Sequence, residues 1–75
     1  MTPTQCRMAR AALEWSAQDL ADAAGVGYAT VARFELGKSV QDATVAKLRS
    51  ALEAHRIRFI DSGKMAGGIF RMRAG

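Results

Sequence analysis

The residues of this 75-residue chain that could do covalent or metal chemistry stand singly. Cys6 is the sole cysteine and His55 the sole histidine. One cysteine makes no intrachain disulfide and no multi-cysteine metal site. One histidine has no companion ligand for a metal. Cys6 therefore reads as a small buried apolar side chain, compatible with a reducing compartment. No Cys–His pair and no clustered pair of carboxylates stands at a catalytic spacing. Gly63, Gly67 and Gly68 form no phosphate cradle and read as turn residues. The sequence thus points away from an enzyme, with no cofactor and no metal expected. Positive charge is what the chain has in excess, with 11 Lys and Arg against 7 Asp and Glu and a net +4. That balance suits a polyanionic partner, so the chemistry to look for is recognition. Its placement is uneven. Residues 1–37 carry Arg7, Arg10 and Arg33 against Glu14, Asp19, Asp22 and Glu35, a net −1, which leaves +5 for residues 38–75.

The elements that must position any recognition surface centre on Gln18 to Gly37, QDLADAAGVGYATVARFELG. Leu20, Ala21 and Ala24 share one face of a helix, and Val31 and Phe34 repeat at helical spacing in a second. Gly25 falls where the first helix should stop in a left-handed backbone. The small residues Ala21, Ala24 and Gly25 allow a close helix crossing. This is the pattern of a helix-turn-helix, whose second helix can lie in a DNA major groove. Ser16 opens the first of the two helices, with Asp19 able to return its hydrogen bond as a short capping box. Gly27 is the candidate N-cap of the second, and Gly37 ends it as a C′ residue.

The flanking segments complete a small domain. Residues 3–14 predict a first helix with Thr2 as N-cap, Pro3 in the first turn and an apolar stripe of Met8, Ala9, Ala12 and Leu13. Trp15 reads as a lid on the core. Asp42 is the expected N-cap of a fourth helix running to about Ala54, with Val45, Leu48, Ala51 and Leu52 buried. Beyond His55 the pattern changes. IRFID (57–61) and IFRMR (69–73), either side of a glycine-containing connection, predict a β-hairpin with Ile57 and Phe59 on one face and Arg58 and Ile60 on the other. Such a hairpin is marginal alone, so it must pack on the helices or extend into a second subunit. Ala74 and Gly75 are expected to fray. The N-terminus lacks the apolar run of a signal peptide. No segment approaches the roughly 20 apolar residues of a membrane span. The expected setting is the cytoplasm, at the nucleoid, with no membrane partner.

Residues 7–54 resemble the lambda-repressor-like helix-turn-helix domain of bacterial and phage regulators, the Cro/repressor or xenobiotic-response-element family. The resemblance rests on Leu20-Ala21, Gly25-Val26, Val31, Arg33-Phe34-Glu35 and Gly37 at the family's spacing. The tail resembles, more loosely, a β-strand extension found in some small members. The fold class implied is mainly α, a four-helix lambda-repressor-like DNA-binding domain with a short C-terminal β-hairpin. The domain would span residues 1–55, with the helix-turn-helix at 18–37. Residues 56–75 would form an extension suited to dimerisation.

The resemblance also implies roles. The start of helix three would face the bases through Tyr28, Ala29 and Thr30, with Arg33 one turn later. Arg33 is the strongest base-reading candidate, because a guanidinium can bond guanine O6 and N7 together. Tyr28 could stack or donate, and Ala29 offers only a methyl surface. Ser16, Gln18, Gly27, Gly37 and Lys38 are the candidate phosphate contacts. Arg10 and Glu35 would form a structural ion pair between helices one and three. Ile57, Phe59, Ile69 and Phe70 are the candidate dimerisation residues. Three positions depart from the family pattern. Ala17 replaces a common Gln, moving that phosphate contact to Gln18. Gly27 replaces a Ser or Thr cap, and Glu14 replaces a Gly or Asn. The implied function is a sequence-specific DNA-binding transcriptional regulator, a repressor by resemblance, acting as a homodimer on double-stranded DNA with two half-sites. The alternative is an antitoxin or anti-activator on the same fold, whose partner is a protein. The net −1 of residues 1–37 motivates that alternative.

Overall fold

The computed structural model describes residues 1–61 and 63–72. Four helices come first: α1 Pro3–Leu13, α2 Ala17–Ala24, α3 Tyr28–Glu35 and α4 Asp42–Ala54. Two short strands follow, β1 Ile57–Phe59 and β2 Ile69–Arg71. They pair antiparallel with Ile57 opposite Arg71, Arg58 opposite Phe70 and Phe59 opposite Ile69. The architecture is mainly helical with a terminal hairpin, as the sequence predicts.

Local chemistry sets the helix ends. Thr2 caps α1 through a reciprocal box, its hydroxyl accepting from the Gln5 amide and its own amide donating to the Gln5 side chain. Ser16 and Asp19 form the corresponding box on α2. Gly25 ends α2 at φ 70, a left-handed conformation that costs a glycine little. Leu36 is the C-cap of α3. Gly37 then turns at φ +80, and the Lys38 amide donates back to the Arg33 carbonyl at 3.0 Å. At α4 the structure corrects the expected cap by one residue. Gln41 takes the N-cap without a side-chain bond, and Asp42 is the first helical residue. There its carboxylate complements the helix dipole from within the first turn.

The core draws on every helix and one strand. Cys6, Ala9, Leu20, Ala21, Val31, Leu48, Leu52 and Ile57 are fully buried, with Phe34 nearly so. Burial of a leucine or isoleucine of this kind stabilises by about 1.5–3 kcal/mol. Trp15 packs against this cluster and meets His55 edge-on with ring centroids 4.6 Å apart, the lid position expected of it.

Both strands are shorter than the β-rich segments that predict them. Pairing continues past β1 as the Ile60 amide donates to the Gly68 carbonyl. A turn through Gly63 and Gly67, both at positive φ, then takes the chain away. Ser62, Arg73, Ala74 and Gly75 lie outside the described residues, and with them the expected end of the second strand and the frayed terminus. Several contacts dock the hairpin, among them the Arg49 guanidinium of α4, which pairs with the Asp61 carboxylate at 3.1 Å. Ile57 inserts into the core. The Gln5 amide nitrogen reaches the carbonyls of Gly68 at 3.2 Å and Ile60 at 3.4 Å. The Arg71 guanidinium donates to the Ala12 carbonyl at 3.0 Å.

Candidate nucleic-acid interface

Helix α3 buries one side and presents the other. Val31 and Phe34 point into the core, and Glu35 is buried beside α1. The opposite side carries Tyr28, Ala29, Ala32, Arg33 and Leu36. At about 100° per residue these five fall within an arc of about 140°. Tyr28 is 54% and Leu36 73% exposed, Ala29 and Arg33 are exposed, and Ala32 is half-buried. Thr30 lies at the edge of the arc and is half-buried, with its hydroxyl turned toward the helix start. Of the four candidate base readers, Tyr28, Ala29 and Arg33 therefore share the outward face, and Thr30 flanks it. The arc holds one cation and no carboxylate.

What holds α3 at its angle is a set of polar contacts from α1. The Arg10 guanidinium grips the Glu35 carboxylate with two parallel bonds, Nε to Oε2 and Nη2 to Oε1, both 2.7 Å. Its remaining nitrogen donates to the Trp15 carbonyl at 3.0 Å. The side chains are 20% and 9% exposed, so the pair is largely removed from water. Burial by itself would raise the Glu35 carboxyl pKa. Hydrogen bonds from Arg10 and from the Cys6 thiol outweigh it and hold the group below the usual carboxylate range. The same bonds raise the Arg10 pKa above its already high value. Cys6 is pushed up to about 12, first by burial and then by the adjacent Glu35 carboxylate. Its thiol stays protonated and unreactive in the folded state.

Arg7 completes the clamp from one turn earlier, donating to the Glu35 backbone carbonyl and to the Thr4 hydroxyl. Sequence reasoning missed it, because a surface arginine on α1 carries no motif. Together Arg7, Arg10, Ala17, Tyr28, Ala32, Glu35 and Leu36 line a cleft of about 310 Å³ where α1 and the start of α2 meet α3. Gln5 and Leu36 were missed as well. Thr2 was read as the N-cap of α1, but neither the answering Gln5 side chain nor the second job of its amide on the hairpin was. Nothing in the sequence reading singled out Leu36.

The candidate phosphate contacts fare unevenly. Ser16 and Gln18 are exposed at the start of α2, where the amides of residues 17 and 18 have no intrahelical partner. The Ser16 hydroxyl already caps Asp19, and the Gln18 side chain donates to Asp22 at 2.8 Å. Gly27 leaves the first turn of α3 without a side-chain cap. The candidates Gly37 and Lys38 lie just past the end of α3. The Gly37 and Lys38 amides are spent on the carbonyls of Phe34 and Arg33, which leaves the exposed Lys38 ammonium as the group able to act there.

The four candidate dimerisation residues separate. Ile57 has no exposed surface and belongs to the core of its own chain. Phe59 and Ile69 are half-buried against that core, Phe59 beneath the Arg49 guanidinium at 5.1 Å. Phe70 alone faces outward, 51% exposed.

Two helices joined by a glycine turn, the second docked through its inner face and bare on its outer face, define a DNA-binding helix-turn-helix. A family model for the helix-turn-helix domain of Cro/C1 type matches residues 7–56, two-thirds of the chain, and the protein belongs to that family of DNA-binding regulators. No curated protein matches the chain in sequence. No group of three or more His, Cys, Asp or Glu among the described residues is placed to hold a metal ion. No helix among them is long and apolar enough to cross a membrane.

Proposed function

We propose that the protein is a sequence-specific transcriptional regulator that lays α3 in the DNA major groove as a homodimer on two half-sites. The observation that carries this reading is the outward arc of α3, free of carboxylates because Glu35 is turned inward and neutralised by Arg10. Arg33 is the reader of guanine, worth roughly 1–3 kcal/mol of discrimination. Tyr28 and Ala29 lie beside it, and Thr30 serves the flanking backbone. The Ser16–Gln18 turn and the first turn of α3 receive phosphates at their free amides, and Lys38 adds a cation at the other end of the helix. Half-sites would lie one helical turn, about 34–36 Å, apart.

The hairpin supplies the second subunit contact. Antiparallel pairs alternate between bonded and non-bonded. Arg56–Met72 and Ile60–Gly68 are bonded, so the N–H and C=O groups of Ile69 and Arg71 point away from β1. That edge, with Phe70 and Met72 beside it, suits pairing with the same strand of a second copy. Because Ile57 belongs to the core, the test is a point change and not a truncation. Phe70→Asp should leave a folded monomer in sedimentation; a dimer that persists assigns the contact elsewhere. For the DNA reading, Arg33→Ala should weaken the specific electrophoretic shift and remove the preference for guanine at the contacted position, with folding intact. Unchanged specificity in that protein removes Arg33 from the reading role.

A further inference from the structure

The outward arc of α3 is short of polar groups, and that shortage points to what it touches. We propose that the stripe Tyr28–Ala32–Leu36, with Ala29 beside it, reads the C5-methyl groups of thymine. In this scheme Leu36 sets the preference, and the half-site places thymine next to the guanine read by Arg33. The inference rests on the DNA-binding reading above and names the bases that reading leaves open.

Leu36 is the most exposed large hydrophobic side chain among the described residues, at 73%. A lone exposed leucine needs no explanation. This one is not alone. On the helix it falls between Ala32 and Ala29, in the middle of the arc, with Tyr28 two turns earlier on the same side. Tyr28, Ala32 and Leu36 also line one wall of the cleft against α1. Nothing in the fold demands an apolar residue there. Leu36 is a C-cap at φ −84 and ψ 1, a conformation open to most residues, and no core residue packs over it.

The occupant follows from chemistry. The base edges of the major groove carry one apolar group, the thymine methyl, among donors and acceptors. An outward helix face with one guanidinium and four apolar or aromatic neighbours can match a guanine and methyl groups. It offers little to the exocyclic amines of adenine and cytosine, which need an acceptor. The charge setting fits a polyanion as well. Arg7 lines the same cleft, Arg33 shares the arc and Lys38 follows Leu36 by two residues, while Glu35, which also lines the cleft, is buried and paired with Arg10.

The experiment uses the full chain. Duplexes are selected from a random pool, and the selected site is resynthesised with deoxyuridine in place of thymine, one position at a time. Each contacted methyl should contribute about fourfold to affinity, the value of one buried methyl group. In Leu36→Ser protein, whose thermal unfolding should match the parent, the deoxyuridine and thymine duplexes should bind alike at the affected position. Arg33→Ala should show the converse, losing the preference for guanine while keeping the dependence on methyl. A selected site indifferent to every deoxyuridine substitution overturns the inference and leaves DNA binding intact. So does a methyl dependence that survives Leu36→Ser. A selection that enriches no sequence, with a stable protein partner captured in its place, overturns the DNA reading and this inference together.

Discussion

The helix-turn-helix block and the terminal hairpin are built by different means. The block, α1 to α3, is held at many points. Two reciprocal capping boxes fix helix starts, Glu14, Gly25 and Gly37 at positive φ fix the turns, and four fully or nearly buried apolar side chains from α2 and α3 with Cys6 and Ala9 of α1 fill its centre. A bidentate ion pair then sets the angle of α3. The hairpin, two strands of three residues, is held by Ile57 in the core with Phe59 and Ile69 packed against it, by the Gln5 amide and the Arg71 guanidinium on α1, and by Arg49 of α4 against Phe59 and Asp61. A recognition helix must keep one orientation, which many independent contacts secure.

The sharpest way to break this contrast is at Ile57. Its side chain is fully buried, so Ile57→Ala should cost about 2–5 kcal/mol. In a domain this small that is a large share of the total stability. Denaturant unfolding of Ile57→Ala beside Phe70→Ala measures the difference. Phe70 is half exposed and should cost well under half as much in the monomer. Equal losses would mean that the hairpin's two faces are not distinguished as drawn.

The Arg10–Glu35 pair comes next. Glu35→Ala leaves the Arg10 guanidinium with the Trp15 carbonyl as acceptor and should cost about 2 kcal/mol, short of the 3–5 of a wholly buried pair because Arg10 keeps some contact with water. The pH dependence gives an independent check. The folded-state pKa of Glu35 is depressed, so the stability contributed by the pair is complete above the unfolded value of about 4.3. It is lost as the pH falls through the lower folded-state pKa. Urea midpoints measured from pH 6 downward should drop more steeply for the parent than for Glu35→Gln. Parallel acid limbs in the two proteins would show that Glu35 does not carry this linkage.

A smaller effect separates the two regions by their dynamics. Gln5→Ala removes the amide that reaches the Gly68 and Ile60 carbonyls and part of the α1 cap, at a cost of about 1–2 kcal/mol. The loss should concentrate in the hairpin. Native-state hydrogen exchange should show faster exchange for the amides of Ile60 and Met72 and little change in α2 and α3. Uniform acceleration across all helices would mean that hairpin and block open as one unit.

These differences also explain what could be seen in the sequence. The block was legible because its signals are local. Ser16-x-x-Asp19, Gly25, Gly37 and the Leu20/Ala21/Val31/Phe34 spacing each state a backbone or burial requirement within a few residues. The Arg10–Glu35 pair is long-range, and it was legible through the family resemblance alone. The hairpin was legible in type but not in extent, because short strands end where tertiary contacts stop holding them. Ile57 and Phe70 look alike in sequence and part in space, since alternation gives the two faces without saying which one the helices cover. At the candidate interface, Arg33 was visible by its chemistry. Leu36 was not, because exposure of an apolar residue at a helix end has no sequence signature.

The smallest expected effect lies at the one unguarded end of the block. Of the three helices in it, α3 alone starts without a side-chain cap, since its N-cap is Gly27. The backbone there, φ −76 and ψ 151, is the extended conformation that serine and threonine caps adopt. A Cβ at this position would meet the Thr30 hydroxyl oxygen at 3.9 Å, an ordinary contact. Gly27→Ser should therefore fit and gain a few tenths of a kcal/mol, the usual difference between glycine and serine at a cap. Its larger consequence belongs to function. The hydroxyl would stand at the entry of the recognition helix, where the unpaired amides of the first turn already favour an anion. The variant should bind DNA of any sequence somewhat more tightly while leaving the preference among bases unchanged, because phosphate contacts carry no sequence information. Thermal unfolding with parallel binding to specific and scrambled duplexes measures both effects. A gain confined to the specific duplex would move position 27 from the backbone to the bases and redraw the boundary of the reading face.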